Sequence, residues 1–457
     1  MQHIRHNLSK YSIGLILIIV CSLIFSAKQW RKQDKVIAMD IVSYYAYLPA
    51  TFIFHDIKLE KRETFDKGIF WPEPLPDGNK VIKTTMGLSI LYSPFFFISH
   101  GLALISGDNA LGFSPIYKIG LLCSAVFYLL IGLLFLRKIL RKYFSEEITA
   151  ITILTTVLGT NLLNYSTYDA CMSHSYNFAL ITTFVWYTIS WYKSPRLLSL
   201  FLMGLLAGLI TLIRPSNIVV LLFFFIYGVY SKETLIQRAR LIFAKFHWFV
   251  LMALAFVLVW IPQFIYWWSI TGHFMVNSYP DEQFFWSSPH FVGGLFSYRK
   301  GWLVYTPVML FALIGIGLLY RKMRDFSWAT AVFMVVSTYI IVSWWCWWYG
   351  GSFGMRSFVD YYGLLAIPMA LFFTTVWEYR KYSKTVVLGI AFLSLIQNYF
   401  FQEKYRRSSI HYDSTTCASF WHSFWHLNPQ NGYWELLEKP DYQKALEGID
   451  AIEQEKK

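Results

Sequence analysis

The sequence predicts an all-α, polytopic integral membrane protein, and two observations carry that reading. Of its 457 residues, 56% are hydrophobic and 15% are charged, against about a quarter charged in a soluble domain. Apolar runs of about 17 to 22 residues recur from the N-terminus to about residue 400, each long enough to cross ~30 Å of hydrocarbon as a helix. A backbone in lipid must satisfy its own hydrogen bonds, so helices are the spanning element.

The candidate spans are 11–27, 117–136, 148–167, 176–192, 197–213, 216–230, 248–268, 303–320, 327–345, 361–378 and 385–400, about eleven crossings. Basic clusters separate alternate spans: Arg137-Lys138 with Arg141-Lys142, Lys193 with Arg196, Lys232 to Lys245, Arg321-Lys322 with Arg324, and Arg380-Lys381 with Lys384. The positive-inside rule makes that side cytoplasmic. It also accounts for the net charge of +13 without a nucleic-acid partner; membrane lipids are the expected surroundings. The opposite short loops hold only Arg214, Arg299, Lys300 and Arg356. Cations on the side that should lack them point to an anionic ligand.

Five cysteines, Cys21, Cys123, Cys171, Cys346 and Cys417, stand singly and suggest neither zinc site nor disulfide framework. The Tyr11 to Ala27 run has a signal peptide's length but no small-x-small cleavage site, so it reads as a retained first helix. The run from Met86 to Ser106 contains Pro94, His100 and several Ser. If it spans, the N-terminus lies outside; if it lies along the interface, the N-terminus lies inside.

The external loops carry the candidate site. In Met39 to Pro49, helical spacing puts Asp40, Tyr44 and Tyr47 on one face and Ile41, Tyr45 and Leu48 on another. Asp40 is either the cap of this helix or a functional acid at the membrane surface. Lys83 precedes Gly87-Leu88 and Pro94-Phe95-Phe96. Asp169 and His174 flank the third and fourth spans, as a metal or acceptor site or as unrelated polar residues. Arg214 reads as an interfacial cation, a partner of Asp169 or a phosphate ligand. Arg299 reads as a headgroup anchor or a phosphate ligand. Arg356 and Asp360, four residues apart, suggest an ion pair across one helical turn. The Trp344 to Tyr349 aromatics, Trp348 included, fit an interfacial belt or sugar-stacking faces. Asp281-Glu282 should face solvent.

In this order the features resemble the GT-C superfamily of membrane glycosyltransferases, close to the protein O-mannosyltransferase and aminoarabinose-transferase group (glycosyltransferase family 39-like). The likeness covers roughly residues 10 to 400: an acid after the first helix, a basic residue before a Gly-Leu…Pro-Phe-Phe helix, and a late Trp-Gly-Arg segment. The chain departs from those relatives in lacking Lys-Pro-Pro after Lys83 and an adjacent acidic pair in the first loop. The resemblance favours the interfacial placement of 86–106. It implies a GT-C-like transmembrane domain over 1–400, with 28–116 as an external loop carrying interfacial helices, and a polar external tail over 401–457. The last ten residues of that tail look frayed.

The resemblance further implies an enzyme of the bacterial inner membrane whose site faces the periplasm. A nucleotide-sugar pool does not exist there, so the donor would be a polyprenyl-phosphate sugar and the acceptor a glycolipid, polysaccharide or protein. Inverting transfer needs a base and phosphate-stabilising cations. Asp40 suits the first role; Lys83, Arg299, Arg214 and Arg356 suit the second. Tyr44, Tyr45, Asp169, His174 and Trp348 are candidates for sugar or acceptor contact. Whether a divalent metal serves as cofactor stays open. A lipid-linked oligosaccharide flippase or a non-catalytic scaffold are the alternatives, although no internal repeat is visible.

Overall fold

The computed structural model describes residues 7–61, 72–75, 78–379 and 382–449. The Arg380-Lys381 pair and the C-terminal end from Asp450 lie outside the described residues. Nearly all regular structure is helical, apart from the two-residue strands Glu73–Pro74 and Lys80–Val81, which pair antiparallel.

Among the described residues, seven helices are long and apolar enough to cross a membrane: Leu8–Arg31, Gly87–Ser106, Pro115–Arg141, Phe246–Thr271, Arg324–Val342, Arg356–Trp377 and Ser383–Arg406. Eleven crossings were expected. Part of the difference comes from interruptions that apolar length does not reveal. The helix expected over 148–167 stops at Leu158, before Gly159. The one expected over 303–320 breaks after Tyr305 and restarts at Met309. Pro307 cannot donate a backbone hydrogen bond and disfavours a helical residue before it. The span expected over 216–230 is a 3-10 turn, Pro215–Val219, followed by the short helix Val220–Ile226. Gly87–Ser106 meets the length criterion, so length does not separate spanning from interfacial placement there.

Small residues bring the helices together, as they do where apolar surface alone gives no preference for one neighbour over another. Leu197–Ile213 lies along Phe246–Thr271, where a Cβ on Gly204 would run into the Met252 carbonyl and one on Gly208 would lie 2.7 Å from the Phe256 carbonyl. Met309–Lys322 lies along Tyr362–Trp377, where a Cβ on Gly315 would run into the Pro368 carbonyl. Gly363 likewise leaves room for the Thr182 hydroxyl.

The two ends of the bundle differ in chemistry. At one, Glu146 accepts from the Ser9 amide at 3.0 Å and hydroxyl at 2.6 Å, and pairs with Arg141 at 2.5 Å. The start of the first helix therefore lies beside the Arg137 to Lys142 cluster. At the other end the helix Asp40–Phe52 is docked through the Tyr45 hydroxyl, which donates to the Gly112 carbonyl at 2.5 Å. Lys118 holds the Lys32 and Gln33 carbonyls at 2.5 and 3.0 Å. The tail, with short helices Cys417–His422 and Tyr442–Leu446, closes over the same end.

Gly315→Val should lower the thermal unfolding midpoint in detergent, by an amount equivalent to ~1–3 kcal/mol of overpacking. Gly317→Val, where a Cβ meets nothing within 4 Å, should leave it nearly unchanged.

Candidate active site

The site is built where three loops meet the Asp40–Phe52 helix. Asp40 is the first residue of that helix, following Met39, whose backbone holds φ 50 and ψ −134. No side-chain cap bond forms at Met39. The Asp40 carboxylate, 48% exposed, accepts from Arg356 Nη1 at 3.2 Å. It is thus turned across the site and is not spent on capping its own helix. Tyr44 lies one turn on. Burial and the Asp40 charge hold its phenol above the ordinary range, against the pull of Arg356 and Arg214.

Arg356 opens a 3-10 turn, Arg356–Tyr361. The backbone before it is gripped on several sides. Asn161 donates to the Phe353 carbonyl at 3.1 Å, the Phe353 amide donates to the Tyr165 hydroxyl at 3.0 Å, and Lys300 donates to the Ser352 carbonyl. Gly354 takes φ 60 with Tyr305 pressed against it, a position that favours glycine.

The expected Arg356–Asp360 pair does not form. In a 3-10 turn residues three apart eclipse, so positions four apart diverge. Arg356 reaches Asp40, while Asp360 is fully buried and collects other partners. His174 Nδ1 lies at 2.8 Å, Asn217 Nδ2 at 2.8 Å, Asn177 Nδ2 at 3.1 Å and Arg214 at 3.7 Å. Arg214 also donates to the Ser357 hydroxyl at 2.8 Å and lies over the Tyr349 ring at 5.2 Å. Its acidic partner is Asp360, not Asp169. Asp169 accepts instead from Asn164 at 2.8 Å, and burial raises its pKa against that bond and the nearby Arg356.

Lys83 is placed by its loop. Its carbonyl accepts from Ser278 at 2.6 Å, and Thr85 donates to the Leu212 carbonyl at 2.5 Å. Gly87 lies against the Leu212-Ile213 backbone, where a Cβ would not fit. The Lys83 ammonium meets Glu282 at 2.6 Å and Glu73 at 3.7 Å and lies 5.0 Å from the Tyr279 ring centre. Burial alone would lower its pKa; the Glu282 bond and charge outweigh burial and raise it. Glu282 does not face solvent as expected, since it also accepts from Trp345 Nε1 at 2.8 Å. The Asp40 charge adds to the upward shifts of Lys83, Tyr44, Tyr279 and Asp169.

Three candidates have their contacts elsewhere. Arg299, 4% exposed, donates to the Asp413 and Glu438 carbonyls and so holds the tail. Tyr45 is buried between Phe96 and Phe113. Trp348 is buried against Trp347 and Tyr442. Asp360, Asn177, Asn217, Glu282 and Tyr279 are the residues that sequence patterns missed as parts of the cluster. Asn217, the last polar residue before the apolar run that starts at Ile218, was a local hint.

Among the described residues, no group of three or more His, Cys, Asp or Glu side chains stands where it could share a metal ion. The neighbours of Asp40 are a guanidinium and a phenol, which do not fit a resident divalent ion.

No family model matches the chain, and no curated protein matches it in sequence. Among solved structures it is similar to the archaeal oligosaccharyltransferase AglB from Archaeoglobus fulgidus, determined in complex with an inhibitory peptide and a dolichol-phosphate. The TM-score is 0.52 at 12% identity, and the match covers 92% of this chain but 60% of that one. At that identity the likeness is one of fold alone, shared over about three fifths of that enzyme's length.

Proposed function

We propose that this chain is a GT-C-type glycosyltransferase that moves a sugar from a polyprenyl-phosphate donor to an acceptor hydroxyl, inverting the anomeric carbon. The observation that carries this reading is the half-exposed Asp40 carboxylate facing Arg356, with Arg214 held against the same Arg356–Tyr361 turn through Ser357 and Asp360. A carboxylate beside clustered cations suits proton removal next to a departing phosphate. A fold shared with an oligosaccharyltransferase solved with dolichol-phosphate supports a lipid-linked donor.

Placement follows from charge. The cluster lies at the bundle end opposite Arg137, Arg141 and Glu146, which the positive-inside rule makes the external end. The start of the first helix then lies inside. The Gly87–Ser106 helix begins against Ile213 and leads to Gly112, which Tyr45 binds. Both ends then belong to the external side, which supports an interfacial lie for that helix and an external 28–116 loop. The bacterial inner membrane with a periplasmic site is the setting we infer, with residues 401–457 as an external tail.

In the reaction, the Asp40 carboxylate takes the acceptor O–H proton as that oxygen bonds to the anomeric carbon. The bond from that carbon to the phosphate oxygen breaks, and its electron pair leaves on polyprenyl phosphate. Arg214 and Arg356 stabilise that charge, since a guanidinium offers two parallel donors to phosphate. Lys83 is already offset by two carboxylates and serves mainly to position the loop. Tyr44 and Asp169 line the acceptor side. His174, through Asp360, holds Arg214 in place.

In transfer of labelled sugar from a panel of polyprenyl-phosphate donors in nanodiscs, Asp40→Asn should lower turnover about a thousandfold. Unchanged turnover would remove Asp40 from the chemistry, and no transfer by wild type with any donor would favour the flippase or scaffold. Asp360→Asn keeps the shape but removes the charge that Arg214 and His174 meet. It should lower transfer by up to about a hundredfold through misplacement of Arg214, with a raised donor KM as the distinguishing readout.

A further inference from the structure

The helix Lys232–Ala244 has a feature that sugar transfer does not use. None of its residues is buried, yet it carries Leu235, Ile236 and Phe243 at 56%, 42% and 80% exposure. Helical spacing lines up Leu235, Ala239 and Phe243 at intervals of four, with Ile236 and Ile242 beside them. Arg240 borders this stripe on one side, and Arg238 and Lys245 border it on the other.

The helix is fixed against the bundle by a different face. Arg238 stacks on Tyr192 at 3.5 Å and donates to the Tyr227 and Phe224 carbonyls, and Leu241 packs on the core. Ser231 and Thr234 close its N-terminus with a capping box. It is thus a rigid element whose apolar stripe is left uncovered by the described residues.

We propose that this stripe lies in the bilayer interface and that Lys232, Arg240 and Lys245 bind the phosphates of anionic lipid headgroups in that leaflet. Two observations select lipid over another occupant. The membrane-spanning helix Phe246–Thr271 begins two residues after Ala244 and exposes Phe246 at 63%, so the stripe runs on into the lipid-facing surface of that span. The flanking cations match an anionic surface, and they lie at the basic end of the bundle. Lys245 is itself seated 3.8 Å from the Trp248 ring centre, which sets its ammonium at the edge of the span.

The test uses the full chain with native cysteines replaced by Ser and a nitroxide on Phe243→Cys or, as control, on Gln237→Cys. In nanodiscs with anionic lipid, the label at 243 should be shielded from a water-soluble relaxing agent and open to oxygen, and the label at 237 the reverse. Shielding at 243 should be severalfold weaker in zwitterionic discs, or when Arg240→Glu and Lys245→Glu are combined. Equal aqueous exposure at both positions would overturn the interfacial placement. Shielding indifferent to lipid charge and to the double variant would overturn headgroup binding. Shielding that arises only when a soluble protein is added would overturn lipid as the occupant. The readout needs no sugar transfer, so it stands or falls apart from the enzymatic proposal.

Discussion

A charge buried among apolar helices must be matched by donors around it, and in this protein Asp360 is that charge. An uncompensated carboxylate in such surroundings costs several kcal/mol. His174, Asn177, Asn217 and Arg214 converge on it from the Ser173–Lys193 helix and from the loop after Leu197–Ile213. These partners are therefore fixed relative to one another. Asn217 is in turn held by the Tyr361 hydroxyl at 2.8 Å. Because Asp360 belongs to the Arg356–Tyr361 turn, satisfying it also sets where that turn sits, and with it Arg356.

From that fixed point the candidate site is assembled outward. Arg356 reaches across to Asp40, and Arg214 is held between Asp360, Ser357 and Tyr349. The half-exposed partner in this chain is Asp40; the others are largely enclosed. Such a gradient, rigid behind and open in front, suits a group that must meet a substrate while its supports stay still. The positive φ at Met39, immediately before Asp40, is a further sign that surrounding contacts and not local preference determine how this helix begins.

The cations Arg214, Arg299, Lys300 and Arg356 divide into two tasks that look alike in sequence. Arg299 and Lys300 are buried and donate to backbone carbonyls, Lys300 joining Ser352 to Tyr412. Burial drives the Lys300 ammonium well below its ordinary pKa, and the Arg356 charge adds to the fall against the pull of Asp413. The tail is thereby tied to the segment that carries Arg356. Arg214 and Arg356 keep acidic partners and face the cluster. A lone cation outside a span signals an anion or a dipole to be met, and the sequence does not say which.

Composition and the spacing of apolar runs were enough to predict a mostly helical chain with helices long and apolar enough to cross a membrane, and to single out the loops between them that hold Asp40, Lys83, Arg214 and Arg356. Those properties depend on residue type and local order, which lipid reads directly through hydrophobicity and charge. Pairings were decided by the tertiary structure alone. Asp40 and Arg356 are 316 positions apart, and the nearer choice, Arg356 with Asp360, failed because a 3-10 turn replaced the α-helix on which it depended. Which cations hold the tail instead of facing the site follows from which buried groups find partners when all the helices are packed at once.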